Sequence, residues 1–204
     1  MFGGIDLSRG DQTKAKIVEV VMKIIARDGL KDLTTRKICE EAGIAKGTLY
    51  HHFENMDNVV AESIRFVHAQ MLEHFEKMEF QSLEEFFKTL GDISISAVEE
   101  QKKNGMKTPS FFDEFVNNPV LYKLQKDTLN EWHDLICRKI QILTEEEISD
   151  EVLKEIGTML YIVISGFKMI LYFEDDIEMV KNLWKKHSQL LASHVGEDKW
   201  RKWK

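Results

Sequence analysis

Between Lys46 and Phe53 the chain carries Lys46, Gly47, Thr48, Tyr50, His51 and His52 on a short segment anchored by Leu49 and Phe53. Those polar groups suit hydrogen bonding to a nucleic acid: Thr48 offers a hydroxyl and a methyl to a base edge, Tyr50 has the length to reach a phosphate, and Lys46 places a cation at the entry of a groove. Gly47 keeps the entering end slim. Metal binding is the competing use of two histidines. Adjacent residues on a helix diverge by about 100°, so His51 and His52 do not converge, and no third ligand is near.

Enzymatic chemistry finds less support. A carboxylate-bridged metal oxidase needs Glu-x-x-His on two helices, and none of the seven histidines has Glu or Asp three residues before it. The chain has no H-E-x-x-H, G-x-S-x-G, P-loop or G-x-G-x-x-G. Cys39 and Cys137 stand far apart, outside any metal-ligand spacing. No cofactor and no metal site are expected. A helical-bundle metal-carboxylate enzyme or a scaffolding protein is the alternative reading, and a scaffold leaves the polar face of the 46–53 segment without a purpose.

The elements that must position these residues are helical. Two prolines and 11 glycines in 204 residues, with few alternating apolar and polar runs, predict an all-α chain. A first helix from Asp11 or Thr13 carries Ile17, Val20, Val21, Ile24 and Ile25 on one stripe and ends at Gly29. Thr34 is placed to cap a second helix that turns Ile38, Cys39 and Ala42 inward, and Gly43 supplies the freedom for a tight turn. The third helix runs from Lys46 to Phe53. Brace helix, glycine turn and second helix together form a helix-turn-helix, whose second element enters the major groove.

From Asp57 to Met78 the pattern Val60, Ile64, Val67, Met71, Phe75 predicts one helix roughly 33 Å long. Further helices are expected at 83–102, 111–116, 120–143, 146–173 and 177–195. Asn104-Gly105, Thr108-Pro109 and Asn117-Asn118-Pro119 mark breaks. The chain is therefore expected to divide into residues 1–56, a helix-turn-helix DNA-binding domain, and 57–204, a helical domain.

Charge is distributed unevenly. Residues 1–60 hold nine basic and nine acidic side chains, whereas 61–204 hold 19 against 26, which accounts for the whole net charge of -7. Such a balance argues against a protein that coats nucleic acid non-specifically. No apolar run approaches the roughly 18–20 residues that span a bilayer, and Met1 to Gly10 lacks the pattern of a secretory signal; a cytoplasmic address without membrane contact is expected. Glu145-Glu146-Glu147 and Glu174-Asp175-Asp176 read as solvated helix boundaries. The basic, aromatic end Lys199-Trp200-Arg201-Lys202-Trp203-Lys204 reads as an exposed terminus.

The helix-turn-helix resembles the TetR family of one-component repressors, including the tetracycline repressor. Its pattern of a Thr opening the second helix, then I-x-x-x-A-G-[VI]-x-x-x-x-[LI]-Y-x-[HY]-F, is met by Thr34, Ile38, Ala42, Gly43, Ile44, Leu49, Tyr50, His52 and Phe53. The resemblance implies DNA contacts from Thr35 and Arg36 on the second helix, from Lys46, Gly47, Thr48, Tyr50, His51 and His52 on the third, and from Lys14. Arg36 is the candidate for a bidentate bond to guanine. Met56 stands where relatives carry a phosphate-binding Lys, so affinity is expected to lean on Arg36, Lys46 and Tyr50.

The same resemblance implies a homodimer on a palindromic double-stranded DNA operator, with the last two long helices pairing with their mates. Ile156, Leu160, Val163, Leu171, Val180, Leu183, Leu190 and Leu191 are expected at the interface or in the core. It also implies a cavity for a small, largely apolar effector that releases the protein from DNA. His68, Met71 and Phe75 are candidates for one wall, and Trp132, Ile136, Met159, Ile162 and Phe167 for the others, with core packing as the simpler role for each.

Overall fold

The computed structural model describes residues 9–103, 112–144 and 147–196. Among these, nine α-helices and one short 3-10 turn (Leu30–Asp32) form the architecture, with no strand. The helices are α1 (Arg9–Asp28), α2 (Thr35–Ala42), α3 (Lys46–His52), α4 (Met56–Glu76), α5 (Leu83–Lys103), α6 (Phe112–Asn117), α7 (Pro119–Leu143), α8 (Asp150–Leu171) and α9 (Ile177–Gly196). The chain is all-α, with an N-terminal helix-turn-helix followed by a helical C-terminal portion. The breaks expected at Gly105 and Pro109, the carboxylates of Glu145 and Glu146, and the tail from Lys199 to Lys204 lie outside the described residues.

The chain forms two compact units, Met1–Met71 with Gly105–Thr128, and Leu72–Asn104 with Leu129–Lys204. In the first, the apolar stripe of α1 (Ile17, Val21, Ile24, Ile25) closes over Ile38 of α2, Leu49 of α3, Phe53 and Val59, all buried. Burying each such side chain contributes about 1.5–3 kcal/mol, enough to fix the short helices α2 and α3, which would not persist alone. A second cluster joins Val60 and Ala61 of α4 to Leu121 and Leu124 of α7. Asn118 creates the start of α7 by accepting the backbone N–H groups of Val120 (2.9 Å) and Leu121 (3.3 Å), with Pro119 at the first helical position, where no donor is needed.

The second unit is built around Phe75, Phe86, Phe87, Leu135, Ile140, Ile156 and Leu160, and a neighbouring cluster gathers Ile95, Val98, Leu171, Val180 and Trp184. α5 packs against α9 and α8. Two lysines finish helices other than their own. Lys102 Nζ donates to the carbonyls of Leu171 (3.1 Å) and Glu174 (3.0 Å) at the end of α8, and Lys139 Nζ donates to those of Glu76 (2.7 Å) and Met78 (2.8 Å) at the end of α4.

α8 begins later than periodicity suggests. Ile148 gives its backbone N–H to Gln141 Oε1 (3.0 Å) and Ser149 is extended (φ -64, ψ 149), so the helix opens at Asp150. The stripe expected along α4 is also uneven: Val60 and Phe75 are buried, Ile64 and Val67 half-buried, and Met71 exposed.

Candidate nucleic-acid interface

The reading head is fixed by its turn. Thr34, extended at φ -131, accepts the backbone N–H of Lys37 at 3.3 Å and caps α2. Gly43 closes that helix in the left-handed region (φ 63, ψ 41), its N–H reaching the Glu40 carbonyl while that of Ile44 reaches Cys39. A branched residue would be strained here. The chain then re-enters helix at Lys46, with Leu49 wholly buried and Phe53 nearly so.

That anchorage turns the polar residues of α3 outward. Lys46, Gly47, Tyr50 and His51 are exposed, and Thr48 and His52 are half-buried. A methyl group added at Gly47 would meet nothing within 4 Å, so the entering end of α3 stands in open space. Lys46 Nζ lies 5.8 Å from the centre of the Tyr50 ring, and the His51 and His52 rings meet edge to face at 5.3 Å. Between the helices, Thr35 Oγ1 and Tyr50 OH share a hydrogen bond of 2.9 Å. Thr35 and Tyr50 are thereby brought together on one surface, 15 positions apart in sequence.

Three further cations have acidic partners within the chain. Arg36 Nε donates to Glu40 Oε1 at 2.7 Å, one turn along α2, and this hydrogen bond holds the guanidinium charged. Lys14 pairs with Glu62 of α4, and its Nζ lies 5.4 Å from the centre of the Phe53 ring. Arg27 joins α1 to α2 by donating to Asp28 (2.7 Å) and Glu41 (2.7 Å). The Asp28 carboxyl is held down to about 2, first by the Arg27 hydrogen bond and further by the nearby Lys37. Glu40 stands at i+4 from Arg36, a spacing that the sequence displays, whereas Glu41 and Glu62 lie 14 and 48 positions from the cations they meet, Arg27 and Lys14. Met56 packs against the core of the first unit. Asn55, which accepts the Asn58 N–H at 2.9 Å, starts α4 instead.

The candidate effector residues are dispersed. Phe75, Trp132 and Ile136 share one cluster of the second unit, with the Phe75 and Trp132 ring centres 5.5 Å apart. Phe167 lies in the other cluster, edge to face with Trp184 at 5.2 Å. His68 is buried in the first unit. Met71, Met159 and Ile162 are exposed. Of the residues expected at an interface or in a core, Ile156, Leu160, Leu171, Val180 and Leu191 are buried, Val163 is half-buried, and Leu183 and Leu190 face outward. Among the described residues, no group of three or more His, Cys, Asp or Glu could hold a metal ion, and no helix is long and apolar enough to cross a membrane.

Residues 17–62 match the family described as bacterial regulatory proteins, tetR family. Over 60 residues the chain is 33% identical to the HTH-type transcriptional repressor KstR2 of Rhodococcus jostii, spanning 29% of each protein. Across nearly the whole chain the fold is that of Salmonella enterica GusR, with a TM-score of 0.71, 16% identity, and 93% and 100% of the two chains covered. It is also that of FadR from Bacillus subtilis, solved in complex with stearoyl-CoA, with a TM-score of 0.60, 18% identity, and 88% and 97% covered. Residues 17–62 thus match the helix-turn-helix of the tetR family, in a chain whose overall fold is shared with these solved structures.

Proposed function

We propose that the protein is a cytoplasmic transcriptional repressor that binds a palindromic DNA operator as a homodimer and is released by a small, largely apolar effector. The observation that carries this reading is the outward polar face of α3, held by Leu49 and Phe53 and joined to α2 through Thr35 and Tyr50. In this reading residues 1–56 read DNA and residues 57–204 bind the effector and the second subunit. Lys46, Thr48, His51 and His52 meet the groove, Gly47 permits close approach, Arg36 reads guanine, and Lys14 and Tyr50 meet phosphates.

Support for the dimer comes from the exposed apolar residues of the last two helices, among them Ile162 (62% exposed), Met169, Leu183 and Leu190 (62%). Large apolar side chains left open to water in this way are costly unless covered. Two copies of the head would then sit about one DNA turn apart. Support for an apolar effector comes from the Phe75, Trp132 and Ile136 cluster and from a structural neighbour that carries an acyl-CoA. Release follows from linkage: an effector that binds better to the conformation with misplaced heads lowers DNA affinity by its differential affinity for the two states. α4, which contributes residues to both units, carries the change.

The test is a gel shift on the gene's own upstream region, comparing wild type with Arg36→Ala and Tyr50→Ala. Weakened binding in both variants supports the assignment. Undiminished binding in both removes these residues from the site.

A further inference from the structure

Two adjacent carboxylates on α2 are used differently. Glu41 is turned to the scaffold, both of its oxygens taken by Arg27 (2.7 and 3.4 Å). Glu40 is turned outward, its side chain 60% exposed beside an Arg36 side chain that is 86% exposed. Only Arg36 Nε and Glu40 Oε1 are joined. The outer atoms of the pair, Arg36 Nη1 and Nη2 and Glu40 Oε2, have no partner among the described residues.

An exposed i,i+4 pair contributes almost nothing to stability, so stability gives no reason for an acid at this place. Next to DNA a carboxylate is repelled by phosphates at every sequence alike. The Thr35–Tyr50 hydrogen bond brings the N-terminal end of α2 against the polar side of α3; Arg36 follows Thr35 directly on that end of α2, and Glu40 stands one turn further along. With Nε engaged, the guanidinium keeps its two terminal nitrogens for the O6 and N7 acceptors of guanine. The remaining carboxylate oxygen is an acceptor, and the exocyclic amino group of cytosine is the donor that Glu reads in the major groove.

We propose that Glu40 is a specificity-determining residue, which aims the Arg36 guanidinium at a guanine and accepts a hydrogen bond from the N4 amino group of a cytosine at the neighbouring base pair. The assignment rests on the DNA-reading function above. It makes the pair a two-base reader in which an acid, unhelpful to affinity, contributes discrimination.

The experiment is selection of binding sites from a randomised double-stranded DNA library by the full-length wild type, Glu40→Gln and Arg36→Ala, followed by titration of single-base variants of the wild-type site. Glu40→Gln is expected to lose about tenfold of the preference for cytosine at one base pair per half-site, with adenine gaining there because an amide matches its N6 and N7. Binding to unrelated duplex should strengthen in the same variant. Arg36→Ala is expected to lose the guanine preference at the adjoining base pair. If Glu40→Gln tightens binding to all sequences equally and leaves every base preference as in wild type, the carboxylate only repels and the proposal is overturned, while the DNA-reading function stands. A wild type that enriches no sequence removes that function and this proposal together.

Discussion

The indole of Trp184 on α9 occupies the space that a side chain at Gly91 on α5 would need. A Cβ at position 91 would lie 1.8 Å from Trp184 Nε1 and 1.9 Å from Cε2. The same indole N–H donates to the carbonyls of Phe87 (3.1 Å) and Lys88 (3.2 Å), so the ring is buried, satisfied and unable to retreat cheaply. Gly91→Ala is therefore expected to destabilise the fold by roughly 3 kcal/mol, the upper part of the overpacking range. Thermal unfolding followed by circular dichroism checks this, and a melting temperature equal to wild type would mean the helices part without penalty.

At the other end of the chain, the cap of α2 makes a smaller claim. Thr34→Ala removes the acceptor for the Lys37 N–H and is expected to lower stability by about 1 kcal/mol. Thr34→Ser should recover most of it. Denaturant titration of the three proteins distinguishes loss of the cap from loss of the methyl group.

Asp28 gives a pH signature. Its carboxyl titrates at about 2 in the folded chain against an ordinary 3.8, because Arg27 and then Lys37 favour the ionised form. A depressed carboxyl stabilises the fold above its unfolded value and ceases to do so as pH falls through the folded value. The contribution is thus fully present above about pH 4 and fades towards pH 2. Asp28→Asn should flatten the decline in melting temperature across that window, while curves of unchanged slope would show the ion pair to be idle in solution.

Salt dependence separates the lysines of the reading head. Lys46 is exposed on α3 with its Nζ near the Tyr50 ring, whereas Lys14 is already paired with Glu62. Lys46→Ala is expected to reduce the slope of log affinity against log salt by about one per head, and Lys14→Ala by less. Fluorescence anisotropy on the selected site at several salt concentrations reads both slopes.

For the second copy, Ile162→Arg and Leu190→Arg place charges on residues that are each 62% exposed in the single chain. If the proposed homodimer pairs through α8 and α9, each should leave helicity intact and yield monomers in sedimentation velocity. Persistence of the dimer in both variants would move the interface elsewhere.

The local grammar of the reading head was legible because each of its rules acts within a few residues. Thr34 caps at three positions' distance, Gly43 turns the chain by its own dihedral angles, and Leu49 and Phe53 face inward by helical period. The distribution of burial along the later helices was not legible in the same way. Met71 and Phe75 share one stripe of α4, yet one is exposed and the other sits among Phe80, Phe86 and Trp132. Periodicity reports a face and not what covers it. The same holds for α8, where Leu160 is buried and Ile162 is not, and for the Lys14–Glu62 and Lys102–Leu171 contacts, which join residues distant in sequence.

The bond between Thr35 and Tyr50 has a consequence for the speed and economy of association. A phenol held by a neighbouring hydroxyl can accept from it and still offer its own proton outward, so the phosphate contact proposed for Tyr50 requires no rotamer search. A tyrosine ordered before encounter surrenders little freedom on binding, and less of the contact's free energy is lost to immobilising it. Cutting that tether with Thr35→Val would leave the ring's chemistry intact and show, as a slower or weaker docking of an unchanged side chain, how much of recognition is preorganisation.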